Sequence, residues 1–323
     1  MKFTSIPEAY SSFNSPLVYE FESEQEAKDL LVEITDLATN EVIGRKKLYA
    51  ATAGSIDIAP YLRRRAIATL PENIAGCGIV EMGTQIKVRV TVDGTASSSR
   101  NFIAANVAPD THYRLLTHQL AQRTMARDEF DLIAYFAMPD AVVEVVVEAM
   151  GKSYGYLTLE HATGGQTAVV VTALDFDDGP EELKVTFKVD GYVEATVEYE
   201  LKENLRGARR LAWLNESRSP ELYTFPMRKS ILIEAARRHI ESVLGKEAAE
   251  VEHDGELKLL SAYEPQAQLE ALAGIYKAER VWLVEGNAPR RIELRAKQVF
   301  TLPCDELGII EVDICAAEEG VRL

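Results

Sequence analysis

Two Asp-Gly dipeptides, each set among residues that alternate strictly between apolar and polar, constrain this chain more than any other feature. Ile86, Val88, Val90 and Val92 alternate with Lys87, Arg89 and Thr91 ahead of Asp93-Gly94. Val185, Phe187 and Val189 alternate with Lys184, Thr186 and Lys188 ahead of Asp190-Gly191. Behind that second dipeptide, Val193, Ala195, Val197, Tyr199 and Leu201 alternate with Glu194, Thr196, Glu198 and Glu200. A period of two places successive side chains on opposite faces, so such runs fold as strands with one dry face and one wet face. Asp-Gly suits the two-residue type I′ hairpin loop, in which both positions need positive φ.

The same order of parts occurs twice. Leu30, Val32 and Ile34 alternate like the later strands, and "LLVEITD" (30–36) corresponds loosely to "VVEVVVEA" (142–149). The hairpins lie 97 residues apart (190 − 93), close to the length of one small β-sandwich. The reading is a mainly β protein with two tandem immunoglobulin- or fibronectin-III-like β-sandwiches, over 1–107 and 130–228. The two Asp-Gly loops are expected at equivalent corners. Residues 108–129, polar and without clean periodicity, are expected to be a connector.

The last segment, 229–323, reads as a small α+β domain. "SILIEAARRHIESVLGKE" sets Leu232, Ala235, Ala236, His239, Ile240, Val243 and Leu244 at helical spacing, while Ile231, Ile233 and Ala235 equally allow a strand. Residues 230–260 therefore stand open between helix and β-hairpin. "EPQAQLEALAGIYK" places Leu269, Leu272, Ala273 and Tyr276 on one helical face, with Pro265 near the first turn. "RVWLVEGNAPRRIELRA" reads as strand, turn and strand, and "LGIIEVDI" as a closing strand.

Charge narrows the partners. The 323 residues carry 51 Asp plus Glu against 35 Lys plus Arg, a formal charge of -16, which disfavours nucleic acid and anionic membranes. The basic islands "YLRRR" (61–65) and "RGARR" (206–210) read as offsets to neighbouring acids. No apolar run approaches the ~20 residues of a membrane span. "MKFTSIPEAYSSFNSP" lacks the apolar core of a secretory signal, so cytoplasmic synthesis is expected. Cys77, Cys304 and Cys315 are too few for a disulfide framework and read as free, buried thiols.

The search for chemistry finds no catalytic, cofactor or metal residues to assign. His112, His118, His161, His239 and His253 show no paired ligand spacing. "DFDDGPEE" (175–182) resembles a calcium loop, but glycine falls fifth and the twelfth residue is Thr186, where an EF-hand needs Gly sixth and Glu twelfth. No GxGxxG, GxxxxGK[ST] or GxSxG occurs. An enzyme is not expected, nor a small-molecule substrate or cofactor.

Aromatics gather in "ARRLAWLNESRSPELYTF" (208–225), which reads as strand, turn and strand. Trp213 and Phe225 are expected on paired strands with both rings packed into the second sandwich. Their turn, Glu216, Ser217, Arg218, Ser219 and Pro220, is expected to project as an exposed interaction tip. Trp282 faces the same choice between core and surface. Aromatics left exposed would instead suit a carbohydrate-binding or adhesive module.

"LAWLNESRSPELYTFP", the Asp-Gly hairpin before it and "LLSAYEPQAQLEALAGIYKAERVWLVEGNAPRRIEL" after it occur in that order. Together they resemble a group of proteins encoded by prophages and phage-like elements of Bacteroidales bacteria. The residues that carry the resemblance are Trp213, Asn215, Tyr223, Thr224, Phe225, Tyr263, Glu264, Pro265, Val281, Trp282 and Leu283. Relatives often place glycines in the turn after Trp-x-Asn, where this chain has Glu216–Pro220. In relatives the segment after Phe225 looks like a β-hairpin. The resemblance implies a non-enzymatic virion or tail-associated structural part, whose partners are other virion proteins or further copies of itself.

Overall fold

The computed structural model describes residues 1–316 apart from 25, 109, 152–153, 162–163, 177–178, 205, 243–244, 287, 296–298 and 302–306. Over 228–256, 299–301 and 316 it gives the backbone alone. The chain is mainly β, with one seven-residue helix, one eight-residue helix and a short 3-10 turn among the described residues.

The first pair of sheets encloses an apolar core. One sheet runs Lys2–Ser5, Val18–Glu22, Ala53–Asp57. The other runs Glu41–Ala51, Lys28–Asp36, Gln85–Val92, Thr95–Ala96, with Arg100–Ile103 also paired to Gln85–Val92. The alternating residues Leu30, Val32, Ile34, Val88, Val90 and Val92 meet Phe13, Tyr19 and Phe21 between them. All of these side chains are buried, those on strands because the period of two aims them inward.

A second pair repeats the arrangement. One sheet runs Tyr113–Leu115, Phe130–Ala137, Gly165–Thr172, Gly78–Glu81. The facing sheet runs Gly155–His161, Val143–Met150, Glu182–Val189, Tyr192–Lys202, Gln122–Ala126, the last strand lying parallel to its neighbour. In both units the longer sheet begins with a strand pair that is consecutive in sequence. The strand before the Asp-Gly loop comes next, followed by the strand after it.

The loops themselves have the expected local geometry. Asp93 and Gly94 have φ of 49° and 82°, and Val92 pairs directly with Thr95. Asp190 and Gly191 have φ of 51° and 86°, and Val189 pairs with Tyr192. Both are two-residue turns with two positive φ angles, a backbone that the right-handed strand twist favours.

The units interleave. Residues 108–129 supply two strands, one to each sheet of the second unit. Strand Gly78–Glu81, which lies before the first Asp-Gly loop in sequence, pairs with Gly165–Thr172 of the second unit, from Thr167↔Glu81 to Val170↔Gly78. Phe130–Ala137 and Gly165–Thr172 are buried at every position, one face in their own core and the other beneath neighbouring units.

The third unit is built on a single further sheet, called the third sheet below, which runs Pro220–Phe225, Arg209–Leu214, Val281–Glu285, Ala288–Leu294, Leu307–Ala316, Gly245–Leu260, Met227–Ser242. This corrects the reading of the aromatic stretch. Trp213 and Phe225 lie on paired strands, but their rings enter a third core with Leu257, Leu259, Leu269, Leu272, Ile310 and Val312. The reason is long-range pairing: Arg209–Leu214 is antiparallel to Val281–Glu285, with Trp213 opposite Val281. The helix Gln266–Ala273 supplies Leu269 and Leu272 to that core. The sheet's other face, with Ala212, Leu214, Leu222, Trp282 and Val284, rests on Phe130, Leu132 and Val170 of the second unit.

The segment left open between helix and hairpin is a hairpin. Met227–Ser242 and Gly245–Leu260 pair along their whole length, from Met227↔Leu260 to Ser242↔Gly245. Leu307–Ala316 pairs with the second of these strands only over 255–260. Beyond Gly255, Glu234–Ser242 and Gly245–Asp254 pair with each other and, among the described residues, with no further strand.

Candidate functional site

The turn expected as an exposed tip is instead a junction. Glu216 is exposed, Ser217 and Arg218 are half-buried, and Ser219 and Pro220 are buried. Asn215 builds the turn: its Oδ1 accepts the backbone N–H groups of Ser217 and Ser219 at 2.9 and 3.1 Å. An Asn side chain can stand in for backbone in this way and hold a tight reversal. Its Nδ2 donates to the Leu116 carbonyl at 2.7 Å and to Glu221 Oε1 at 2.8 Å. Arg218 sits at φ 52°, in the left-handed region, as the turn requires.

Each side of this turn is held by a different unit. Arg218 Nη1 donates to the carbonyls of Arg63 and Ala66 at 3.0 and 2.8 Å, at the C-terminal end of helix Ala59–Arg65. Its guanidinium also lies 5.6 Å from the Phe13 ring centre and 3.2 Å from the Glu279 carboxylate. Asn14 Nδ2 donates to the Glu216 carbonyl at 3.2 Å. From the second unit, Gln166 Nε2 donates to the Ser217 carbonyl at 2.7 Å and to Ser219 Oγ at 3.0 Å. Thus Glu216–Pro220 is used inside the chain, because polar side chains from the first two units satisfy it.

Beside the turn, a buried polar network joins the second unit to the third sheet. Glu221, almost fully buried, accepts from Thr117 Oγ1, the His118 N–H and Gln119 Nε2 at 2.8, 2.7 and 3.1 Å. Asp131 accepts from Arg123 Nη1 and the Tyr199 hydroxyl, both at 2.8 Å, with Arg210 Nη2 at 3.5 Å. Arg210 Nη1 reaches Thr224 at 2.7 Å and Glu129 at 3.3 Å. Burial works against the Arg123 charge, but the Asp131 and Glu221 carboxylates outweigh it and hold its pKa above the usual guanidinium range. Burial, reinforced by Asp131, pushes the Tyr199 phenol far up, so it stays a neutral donor. A buried charge is tolerated only when paired and hydrogen-bonded, and here the partners come from separate elements.

A cleft of about 280 Å³ beside the turn is lined by Asn14, His118, Glu216, Arg218, Glu270 and Lys277 among others. Its lining contains no serine, threonine or cysteine. Among the described residues no group of three or more His, Cys, Asp or Glu is placed to hold a metal ion. In the stretch 175–182, Asp175 accepts the Cys77 N–H, while 177 and 178 lie outside the described residues. Cys77 and Cys315 are free and half-buried, and burial pushes the Cys77 thiol up to about 12, which keeps it protonated and unreactive. Cys304 lies outside the described residues. No described helix is long and apolar enough to cross a membrane.

Both tryptophans are buried: Trp213 fully and Trp282 to 9% exposure. Among the described residues the large exposed aromatics are Tyr49, Tyr154, Tyr156, Tyr192 and Tyr263. No protein-family model matches the chain, and no curated protein matches it either.

Proposed function

We propose that this chain is a non-enzymatic structural subunit that builds a larger protein assembly through the 227–260 hairpin. The observation that carries this reading is the paired segment beyond Gly255. Nine residues of one strand and ten of the other extend past the sheet with no described strand beside them. At ~3.3 Å per residue the arm reaches about 30 Å. A two-stranded ribbon has little core of its own and is stabilised by docking on something else. Its open edge presents unpaired backbone donors and acceptors, which readily accept a strand from another chain.

The rest of the molecule suits a rigid base for such an arm. We read the two interleaved units as immunoglobulin- or fibronectin-III-like sandwiches, on the strength of their shared strand order, and the third sheet with its helix as an α+β unit. The buried Arg123–Asp131–Arg210 network and the turn at Arg218 tie all three together. A virion or phage-tail setting, with assembly in the cytoplasm, is what the resemblance implies, and it rests on that resemblance alone. The charge of -16 fits protein partners better than nucleic acid. The carbohydrate-binding alternative loses both tryptophans to the interior and would fall to the exposed tyrosines Tyr49, Tyr154, Tyr156, Tyr192 and Tyr263.

The test is to shorten the arm. Ile233 and Gly255 are register partners, so replacing 234–254 with Asn-Gly closes the hairpin with a two-residue loop. Sedimentation velocity and electron microscopy of the intact chain should show assemblies of more than one subunit. The shortened chain should be a folded monomer whose melting temperature does not depend on protein concentration. An intact chain that stays monomeric up to its solubility limit would overturn the reading.

A further inference from the structure

We propose that the arm's occupant is a second copy of this chain, added antiparallel through the outer edge of Met227–Ser242 about a two-fold axis at Ala236. The proposal rests on the assembly reading above and supplies its partner and register. Among the described residues nothing pairs with that edge, which closes one end of the third sheet. The irregularities in the hairpin fall after Arg228 on this strand and opposite the Arg238–His239 step on its partner strand. Ser230–Ser242 is therefore an unbroken stretch of thirteen residues, long enough for a continuous ladder.

Symmetry limits how two such edges can meet. A two-fold axis perpendicular to the sheet keeps each face on its own side, so paired residue numbers must share parity and the axis must pass through one residue. An axis at Glu234 sets Glu234 against itself, and one at Arg237 sets Arg237 against itself. Like charges directly opposite are destabilising. An axis at Ala235 avoids that but leaves Glu234 opposite Ala236.

The axis at Ala236 resolves the charges. Glu234 falls opposite Arg238 of the partner subunit, and Arg238 opposite the partner's Glu234. Leu232 falls opposite the partner's Ile240, Ser230 opposite the partner's Ser242, and Ile233 opposite the partner's His239. No like-charged pair occurs anywhere from Ser230 to Ser242. The sequence "SILIEAARRHIES" is thus self-complementary about its centre, as an isologous contact requires.

Charge exchange and crosslinking test this together on the full-length chain. Glu234→Arg faces two arginines with two arginines and should weaken self-association about tenfold or more. The double variant Glu234→Arg, Arg238→Glu should return it to within about threefold of the parent. Residues directly opposite in an antiparallel pair lie ~4.5–5.5 Å apart at Cα, within disulfide range. Ala236→Cys should therefore form an intersubunit disulfide under mild oxidation, while Arg237→Cys and the unsubstituted chain should not. Loss of association in the shortened arm, without charge rescue and without preferential Ala236→Cys crosslinking, would overturn this pairing while leaving the assembly reading in place. An intact chain that never self-associates would overturn both.

Discussion

Arg218 offers a direct test of the junction, because its side chain bridges two units while its backbone sits in a demanding conformation. Its guanidinium donates to the Arg63 and Ala66 carbonyls at 3.0 and 2.8 Å, at the end of a helix whose last carbonyls lack intrahelical donors. A hydrogen bond from a charged donor contributes ~1.5–3 kcal/mol, and the more solvated Arg63 bond belongs at the low end. Contact with the Phe13 ring adds ~0.5–1 kcal/mol. The Glu279 partner is 66% exposed and is counted as nothing. Arg218→Ala should therefore cost about 4 kcal/mol, where an exposed tip would lose under ~0.5 kcal/mol. Arg218→Gly loses the same contacts but removes the Cβ from a residue at φ 52°, and should be about 1 kcal/mol more stable than the alanine variant. Urea unfolding followed by tryptophan fluorescence suits the comparison, since Trp213 and Trp282 both lie on the third sheet. An alanine variant as stable as the parent, or a glycine variant no better than alanine, would refute the reasoning.

Other perturbations probe the cores. Asp131→Asn leaves Arg123 and Arg210 buried without their shared carboxylate and should cost about 3–5 kcal/mol, read from the same unfolding curves. Trp213→Ala should cost about 3–5 kcal/mol, the usual result of truncating a fully buried aromatic, with the damage lodged in the third core and visible there by hydrogen exchange. Glu264 is raised above its ordinary pKa by burial, against the Tyr223 hydroxyl bond that lowers it. Because its folded-state pKa lies above the unfolded value, its favourable contribution is present below about pH 4 and is lost as pH rises through the folded value. Glu264→Gln should flatten that slope and leave acid stability unchanged. A melting-temperature profile from pH 3 to about 7 measures it, and identical profiles for parent and variant would count against the assignment.

What the sequence reveals here is what local chemistry dictates. Asp93-Gly94 and Asp190-Gly191 are legible because a two-residue turn is specified by its own residues and the alternation on either side. The aromatic stretch is misassigned because its strand partner, Val281–Glu285, lies about seventy residues further on, and alternation does not say which strand is next door. The same holds for Gly78–Glu81, which joins the sheet of another unit. The turn at 216–220 reads as exposed from its polar residues, yet Gln166, Asn14 and Asn215 satisfy it inside the fold. Two further signals lie in the sequence itself. Asp131 stands alone in the otherwise apolar run "FDLIAYFA", and a carboxylate in a strand buried on both faces must be paired. Val251, His253, Gly255, Leu257 and Leu259 alternate with Glu250, Glu252, Asp254, Glu256 and Lys258, which favours a strand over a helix for the arm.

The central claim, that the arm's open edge is an assembly surface, is tested most directly by amide hydrogen exchange over 230–242 as a function of protein concentration. Outward-facing amides on an unpaired edge exchange quickly, and pairing with another strand protects them. Protection over 230–242 should rise with concentration while the three cores stay unchanged, and the shortened-arm chain should show no concentration dependence anywhere. Exchange over 230–242 that is equally fast at every concentration would contradict the account.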